Sequence, residues 1–408
     1  MNNVENIVET SKNEDLSCGK VINMKKSQSF NESNLMTLPF ISLKRKRVPE
    51  IKRFWIRDGQ EVALKVVGGA KYLCPTIYEL DVLMALFKIH SKNMDDKIEV
   101  LTSKTVDENG EVLTSKHSIT NMPQKINFTY RGLAKEMGLS GFGKATKERL
   151  EKSILCLNEC TIYSTLAIRD QEVGEYVIDF DGCESSRILK NYKSYSVSKR
   201  KMANKKLLDP AKIEEHQSVE IDDFFYKNLC NNFLKIYDYD IYKSLKSSVA
   251  KKLQLILTQW SRGYEKYIKF QTLCDYIGLD CITKDEIYYS NKQLKIALEE
   301  LKSIKFIQEY SFINEGVNLV FNTTSREKAR GLDKYTTDEE IVSRLRELGI
   351  DYDDIIKYCR LESMDYIAAL LRYIDDRIKM GFVDDIKKYT QKGLPYGKYD
   401  VNKYMIEL

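Results

Sequence analysis

Two stretches of the chain, 140 residues apart, carry the same pattern of apolar and polar positions. Each opens with a short amphipathic segment that ends at a glycine, Leu133–Gly138 in the first copy and Leu273–Gly278 in the second. A longer segment follows, in which apolar residues recur at +4 and then +3, the spacing of one face of an α-helix. These residues are Leu150, Ile154 and Leu157 in the first copy and Leu294, Leu298 and Leu301 in the second. The pattern predicts two helix-turn-helix units, with glycine where the chain leaves the first helix.

Each long helix is followed by two β-like segments, which predict a hairpin. The hairpins are expected at Thr161–Ile168 with Glu175–Phe180, and at Phe306–Ile313 with Val317–Phe321. A helix is expected before each unit, at 76–90 with a Thr76–Glu79 capping box and at 247–262. Helix, turn, helix and hairpin is the layout of a winged helix. The predicted fold is therefore α+β, with two tandem winged-helix domains followed by a small C-terminal helical region.

Composition shifts give the expected domain boundaries. Residues 1–36 are polar and without periodicity, which predicts a flexible arm. The first winged-helix domain is expected at 37–183, a basic connector at 184–216, the second domain at 217–330 and the helical region at 331–408. Residues 51–67 predict two strands, 91–124 a loop or irregular hairpin, and 219–225 and 236–242 the strands that open the second domain. A Ser290–Gln293 capping box predicts the start of the second long helix, after a turn four residues longer than the first.

The net charge is only +5, but the basic residues are unevenly placed. Residues 44–58 hold seven basic and two acidic residues, and residues 187–212 hold nine basic and one acidic residue. Local lysine and arginine, not a high global charge, are what phosphate neutralisation requires. With the apolar stripes facing inward, Lys, Arg and Gln lie on the outer faces of both long helices, with Glu148 and Ile296 beside them. The pattern favours DNA binding, and the predicted contact residues are Lys144, Lys147, Arg149, Lys152, Lys292, Gln293, Lys295, Lys302, Arg45, Arg47, Arg200, Lys201 and Arg326.

Signals of catalysis are weak, and the sequence predicts no enzyme, no cofactor and no metal. Its three histidines are far apart and lack neighbouring ligands. Gly138–Lys144 fits half of a phosphate-binding loop, but Ala145 stands where a Mg²⁺-binding Ser or Thr is needed. Asp238 and Asp240 would share one strand face, as a two-metal nuclease requires, without further carboxylates at a recognisable spacing. An enzyme acting on DNA remains an alternative only if these two residues bind metal.

A cytoplasmic location without membrane contact is expected. No apolar run approaches the length of a membrane span, and the N-terminal residues lack a signal-peptide pattern. The nine cysteines are odd in number and scattered among apolar neighbours, which is typical of buried thiols in a reducing compartment.

Three segments resemble the replication initiator protein A family of plasmid initiators, which is related to iteron-binding initiators with tandem winged-helix domains. They are Leu38-Pro-Phe-Ile-Ser-Leu-Lys-Arg-Lys-Arg, Cys74-Pro-Thr-Ile-Tyr-Glu-Leu-Asp-Val-Leu and Leu150-Glu-Lys-Ser-Ile-Leu. The resemblance covers about residues 38–330. It implies binding to repeated double-stranded sites at a plasmid origin and opening of an adjacent A·T-rich segment, with contact to single-stranded DNA. It also implies recruitment of the host initiator and helicase, and copy control in which the protein forms a homodimer.

The mechanism so implied is binding without chemistry, with the two recognition helices in successive major grooves. A transcriptional repressor with tandem winged helices and no origin role is the second reading. Gene context would separate them, because an initiator should sit beside short direct repeats and an A·T-rich stretch.

Overall fold

The structure, a computed structural model, describes residues 15–394 except 45, 58, 107–111, 178–185, 196–215, 261–264, 314, 322–337, 362–363, 380–382 and 384. The chain divides into two compact units. The first holds residues 1–244 and 275–279, and the second holds residues 245–274 and 280–408. Helices and strands are mixed in both, so the fold is α+β.

The N-terminal segment is folded from residue 15 onward. It forms strands β1 (Asp15–Asn23) and β2 (Gln28–Glu32) and helix α1 (Ser33–Thr37). Phe30 and Leu35 are fully buried, and buried Glu32 accepts hydrogen bonds from Leu35 N and from the amide of Asn228. The prediction of a flexible arm over residues 1–36 is therefore wrong for residues 15–36, while residues 1–14 lie outside the described part. The segment has too few apolar residues to show a periodic pattern, so its sequence looks like that of a flexible arm. Its buried polar groups are satisfied by hydrogen bonds.

The next elements of the first unit follow the predicted order. Strands β3 (Glu50–Arg57) and β4 (Gln60–Val67) form the expected hairpin, with Gly59 at φ +79°. Helix α2 (Ile77–Asn93) begins with the expected Thr76–Glu79 capping box. Strands β5 (Lys97–Val106) and β6 (Val112–Ile119) pair antiparallel with a shift in register, which confirms the irregular hairpin among the two expectations for this segment. Strand β5 also pairs with β1, which makes a three-stranded sheet.

The first helix-turn-helix lies between strands. Strand β7 (Lys125–Phe128) leads into helix α3 (Tyr130–Glu136), helix α4 (Lys144–Glu159) follows, and strand β8 (Thr161–Thr165) comes next. Leu150, Ile154 and Leu157 are fully buried, as the apolar stripe predicts. Strand β8 pairs with β4, but the end of the expected hairpin after α4 is present, because Leu166 N donates to Val177 O at 2.7 Å and Val177 N donates to Ile168 O at 2.9 Å. The short strands β9 (Arg169–Asp170) and β10 (Glu175–Tyr176) continue this pairing, and residues 178–180 lie outside the described part.

The hairpin of the first unit comes later in the chain. Strand β11 (Ser186–Arg187) pairs with β8, and strands β12 (Leu189–Tyr195) and β13 (His216–Ile221) pair with each other in the sheet order β12-β13-β7. The basic residues expected to connect two domains therefore join two paired strands of the first unit. Residues 196–215 between these strands lie outside the described part.

The predicted start of the second domain at residue 217 is also wrong. After β13 come helix α5 (Asp223–Cys230), strand β14 (Leu234–Asp238) and helix α6 (Tyr239–Ser244). Strand β14 pairs with β2, and the first unit continues to residue 244. The two aromatic and β-branched segments predict strands, and each is a strand in its first part and a helix in its second. The strands, β13 and β14, complete sheets of the first unit. Their partners lie far away in sequence, which local patterns do not reveal.

The second unit contains the second helix-turn-helix, except that residues 275–279, which end its first helix and include the turn glycine, are counted with the first unit. Its elements are helix α7 (Ser248–Trp260), strand β15 (Glu265–Lys269), helix α8 (Phe270–Ile277), helix α9 (Lys284–Ser303) and strands β16 (Ile307–Ile313) and β17 (Gly316–Phe321). The predicted hairpin is confirmed, and the sheet order is β15-β17-β16. Leu294, Leu298 and Leu301 are fully buried, as predicted.

Four helices follow, which confirms a helical C-terminal region in the described residues. They are α10 (Asp338–Glu347), α11 (Tyr352–Leu361), α12 (Met364–Lys379) and α13 (Ile386–Gly393). Ile341 and Leu345, the predicted apolar residues of the first, pack in one cluster with Ile367 and Leu371 of α12. These helices therefore share a core of their own.

Candidate nucleic-acid interface

The two units present the same order of elements around their long helices. In the first the order is α2, β7, α3, α4, β12 and β13, with β13 between β12 and β7. In the second it is α7, β15, α8, α9, β16 and β17, with β17 between β16 and β15. The first unit carries insertions, β5–β6 before β7 and β8–β11 before β12. The sequence repeat is therefore a repeat of topology, with the hairpin of the first copy displaced along the chain.

Glycine ends the short helix of each motif in the backbone conformation that the pattern predicts. Gly138 has φ +73° and Gly278 has φ +90°, in the left-handed region that favours glycine. Seven residues, 137–143, separate α3 from α4, and six, 278–283, separate α8 from α9. The turns are thus alike in length. The expected four-residue excess of the second copy lies in α9, which has 20 residues against 16 in α4.

Helix α9 begins six residues before Ser290. Its capping box is Thr283 with Glu286, and the Thr283 hydroxyl accepts from Glu286 N at 3.2 Å. Ser290 is buried inside the helix, where its hydroxyl donates to Asp280 O at 2.9 Å. The predicted cap at Ser290 and Gln293 is therefore wrong. The extra turn adds Tyr288 and Tyr289, 66% and 61% exposed, to the outer face of the helix. The sequence prediction missed both tyrosines because it started the helix after them.

The outer face of α4 carries three of the predicted contact residues. Lys144, Arg149 and Lys152 are exposed. The Lys144 ammonium lies 3.9 Å from the Glu148 carboxylate, an exposed pair that contributes little to stability. The Arg149 guanidinium stacks on the Tyr78 ring, 3.7 Å from its centroid. Stacking restricts the Arg149 side chain, so it loses less conformational entropy than a mobile arginine would when it binds a phosphate or a base.

The other predicted residues of the two helices divide by exposure. Lys292, Gln293 and Lys295 are exposed on α9, and Ile296 beside them is 55% exposed, as the stripe predicts. Lys147 is half-buried, with its ammonium 5.6 Å from the Tyr130 ring centroid. Lys302, near the end of α9, pairs with Glu309 of β16 at 2.5 Å.

Arg47 has partners inside the first unit. Its guanidinium donates to Glu79 Oε1 at 2.6 Å and to Tyr72 O at 3.0 Å. Glu79 is completely buried and also accepts from the hydroxyls of Thr76 and Ser153, each at 2.7 Å. Burial opposes the shift, but these hydrogen bonds and the Arg47 charge hold the pKa of Glu79 below its usual value. This arrangement gives Arg47 a structural role in the first unit.

Four predicted contact residues, Arg45, Arg200, Lys201 and Arg326, lie outside the described residues. Their proposed roles stay predictions.

The two aspartates considered for a metal site have different structural roles. Asp238 ends strand β14, and its carboxylate accepts from Ser27 Oγ at 3.1 Å and from Ile241 N at 3.0 Å. Asp240 lies in helix α6 and pairs with Lys243 at 3.6 Å. They do not share a strand face, so the expectation of a common face is wrong. Among the described residues, no cluster of three or more His, Cys, Asp or Glu side chains is placed to hold a metal ion.

Within the described part of the chain, no helix is both long and apolar enough to cross a membrane.

Sequence comparison with known proteins identifies no family for this chain. No protein-family profile matches the chain, and no curated protein matches it. Solved structures that align with most of the chain include two of RctB. One is the crystal structure of domain 2 and domain 3 of RctB, with a TM-score of 0.44 and 12% identity over 72% of this chain and 99% of that one. The other, of RctB domains 2-3, has a TM-score of 0.41 and 10% identity over 73% and 99%. Both TM-scores are too low to transfer a property to this chain.

Proposed function

We propose that this protein binds double-stranded DNA through two winged-helix units and acts as a plasmid replication initiator. On this proposal it binds repeated sites at an origin, promotes opening of A·T-rich DNA, and recruits host initiator and helicase. It acts by binding and has no catalytic step of its own. The origin role and its host partners rest on the resemblance of residues 38–330 to plasmid initiators, whereas DNA binding also has support from the geometry.

The observation that carries DNA binding is the repeated order of helix, strand, helix, helix and hairpin, with an exposed and cation-bearing long helix in each copy. In winged helices the helix after the turn enters the major groove, and the major groove of B-DNA admits one α-helix. Lys144 and Lys152 on α4, and Lys292 and Lys295 on α9, are exposed at the positions that such a helix turns to DNA. Among the described residues, Lys152, Lys292 and Lys295 have no ion-pair partner, so they can bind phosphates without first breaking an ion pair.

Specific binding can be tested by a gel-shift titration with the DNA that flanks the gene. Unrelated DNA serves as competitor, and the titration is repeated at two salt concentrations. A ladder of discrete complexes that survives competitor is expected for a protein on repeated sites. Binding that competitor and modest salt abolish would leave only non-specific charge attraction and would contradict the proposal.

The origin role needs a separate assay, because a winged-helix repressor would give the same gel shift. The flanking DNA is placed on a vector that cannot replicate in the host, with the gene supplied in trans. An initiator should maintain the vector, and Lys152→Ala, which weakens DNA contact, should lower its copy number. Specific binding without maintenance of the vector would favour the alternative, a repressor without an origin role.

A further inference from the structure

Helix α9 exposes a ridge of apolar and aromatic side chains along its solvent face. Tyr288 and Tyr289 are adjacent, Lys292 lies four and three residues after them, and Ile296 lies four residues after Lys292, so the four side chains form one ridge, which we call the α9 ridge. Its tyrosines are 66% and 61% exposed and Ile296 is 55% exposed. The tyrosine rings contact each other edge to face, with centroids 5.6 Å apart. An apolar ridge of this kind leaves unfavourable surface in water, which is typical of a binding surface.

The corresponding ridge of α4 has a different chemistry. It consists of Lys144, Ala145, Glu148 and Lys152, all exposed, of which three are charged and none is aromatic. The two helices occupy the same place in the repeated order of elements, so the difference is one of sequence, not of topology. If both helices face DNA, they meet it with different groups.

We propose that the α9 ridge reads thymine methyl groups in the major groove, and so makes the second unit selective for A·T-containing sequence. The inference rests on the proposed DNA-binding function. The C5-methyl of thymine is the apolar group that a base pair presents in the major groove, and it is matched by an apolar side chain. Tyr288 and Ile296 are eight residues apart, or about 12 Å along the helix axis. At about 3.4 Å per base pair, the α9 ridge spans three to four base pairs.

The charges around the α9 ridge favour DNA over a second copy of the chain as its binding partner. Between residues 284 and 296, the charged side chains at the surface are Lys284, Lys292 and Lys295 against Asp285 and Glu286. The lysines outnumber the carboxylates, and the Glu286 carboxylate already accepts from the backbone N–H groups of Ile282 and Thr283, so the surface complements phosphates. A symmetric contact between two copies would instead bring the same lysines together, because an isologous interface pairs each surface with itself.

The test compares two preparations of the same flanking DNA, one with thymine and one with uracil throughout. Uracil lacks only the C5-methyl group, so phosphates and hydrogen-bonding groups are unchanged. Each buried methyl contributes about a fourfold change in affinity, so the natural protein should bind the uracil DNA about 4-fold to 16-fold more weakly if one or two methyls are contacted. Ile296→Ala should bind thymine DNA more weakly and should lose most of the preference for thymine.

Two further variants serve as controls. Ile56→Ala removes an isoleucine that is 65% exposed on β3 of the first unit, and it should keep both the affinity and the preference. Arg149→Ala should weaken binding to both DNAs and leave the ratio between them unchanged. Thermal unfolding of Ile296→Ala should match that of the natural protein, because the side chain is exposed.

Equal affinity of the natural protein for the two DNAs, where thymine DNA is bound specifically, would overturn the methyl-reading proposal and leave the proposed function standing. The same holds if Ile296→Ala keeps the full preference. If Ile296→Glu dissociates a dimer in sedimentation while uracil has no effect, the α9 ridge binds a second copy instead. Absence of specific binding to thymine DNA would overturn both proposals.

Discussion

Replacement of Arg47 by methionine separates a structural role from a DNA contact. In the structure the guanidinium lies 2.6 Å from Glu79 Oε1, and the Glu79 side chain is 0% exposed whereas that of Arg47 is 36% exposed. Removal of one partner of a buried ion pair costs about 3–5 kcal/mol, because the other charge stays buried without compensation. Glu79 keeps its bonds from Thr76 and Ser153, and water reaches Arg47. The expected loss is therefore smaller, about 2 kcal/mol of unfolding free energy.

The measurement is urea unfolding of the Arg47→Met variant at pH 7 and at pH 3. Because the folded state holds the pKa of Glu79 low, the stability that this carboxylate contributes is present above its unfolded pKa and is lost as the pH falls. The difference between the natural protein and the variant should therefore shrink at pH 3. Arg131→Met is a matched control, since Arg131 is exposed and makes a cation–π contact with Phe142. It should change the unfolding free energy by less than about 0.5 kcal/mol.

The opposite result would identify Arg47 as a DNA contact. In that case Arg47→Met would unfold like the natural protein, and the slope of log affinity against log salt would fall by about one unit, as expected for one lost phosphate contact. That pair of results would refute the structural role.

Three further predictions follow from exposure and burial. Lys152→Ala should lower the salt slope of DNA binding by about one unit, whereas Ile296→Ala should leave the slope unchanged; gel shifts at several salt concentrations measure both. Burial lowers the pKa of His90 to about 4, so the unfolding free energy should decrease as the pH falls from 6.5 toward 4. In urea titrations, His90→Phe should remove up to about 3 kcal/mol of this pH dependence. Burial lowers the pKa of Lys252 to about 7, so stability should rise between pH 7 and pH 10.5, and Lys252→Met should flatten this rise; an unchanged slope would contradict the burial argument.

The sequence predicts the helical parts of the repeat well because their signals are local. An apolar stripe at helical spacing and a glycine at the end of a helix depend on residues within a few turns, and both motifs are found where they were expected. The start of α9 shows the limit of local signals. Thr283–Glu286 and Ser290–Gln293 both fit a capping box, and the structure uses the first, because Ser290 donates to Asp280 O inside the fold. The predicted outer face of α9 therefore lacks Tyr288 and Tyr289, which precede Ser290.

The strand pairing could not be predicted, because strand partners are distant in sequence. Strand β13 pairs with β7 through Val219 and Ile126, 93 residues apart, and β14 pairs with β2 across more than 200 residues. Strand β12, Leu-Lys-Asn-Tyr-Lys-Ser-Tyr, is polar and basic, so its composition indicated a connector. Only the position of its partner makes it part of a sheet. This pairing moves the boundary between the units from residue 217 to residue 245.

The predicted contact residues also show why counting cations is a poor guide to a DNA surface. A lysine or arginine side chain can bind a DNA phosphate only if it can leave the carboxylate that it contacts within the protein. The side chains of the Lys302–Glu309 pair are 39% and 62% exposed, and such a pair contributes little to stability, so Lys302 can exchange its partner for a phosphate. Arg47 can leave Glu79 only at a large cost in folding free energy, because Glu79 would remain buried and charged. Lys152 and Lys292 have no such penalty among the described residues. Burial of the partner, more than the charge of the residue, therefore decides which cations are available to DNA.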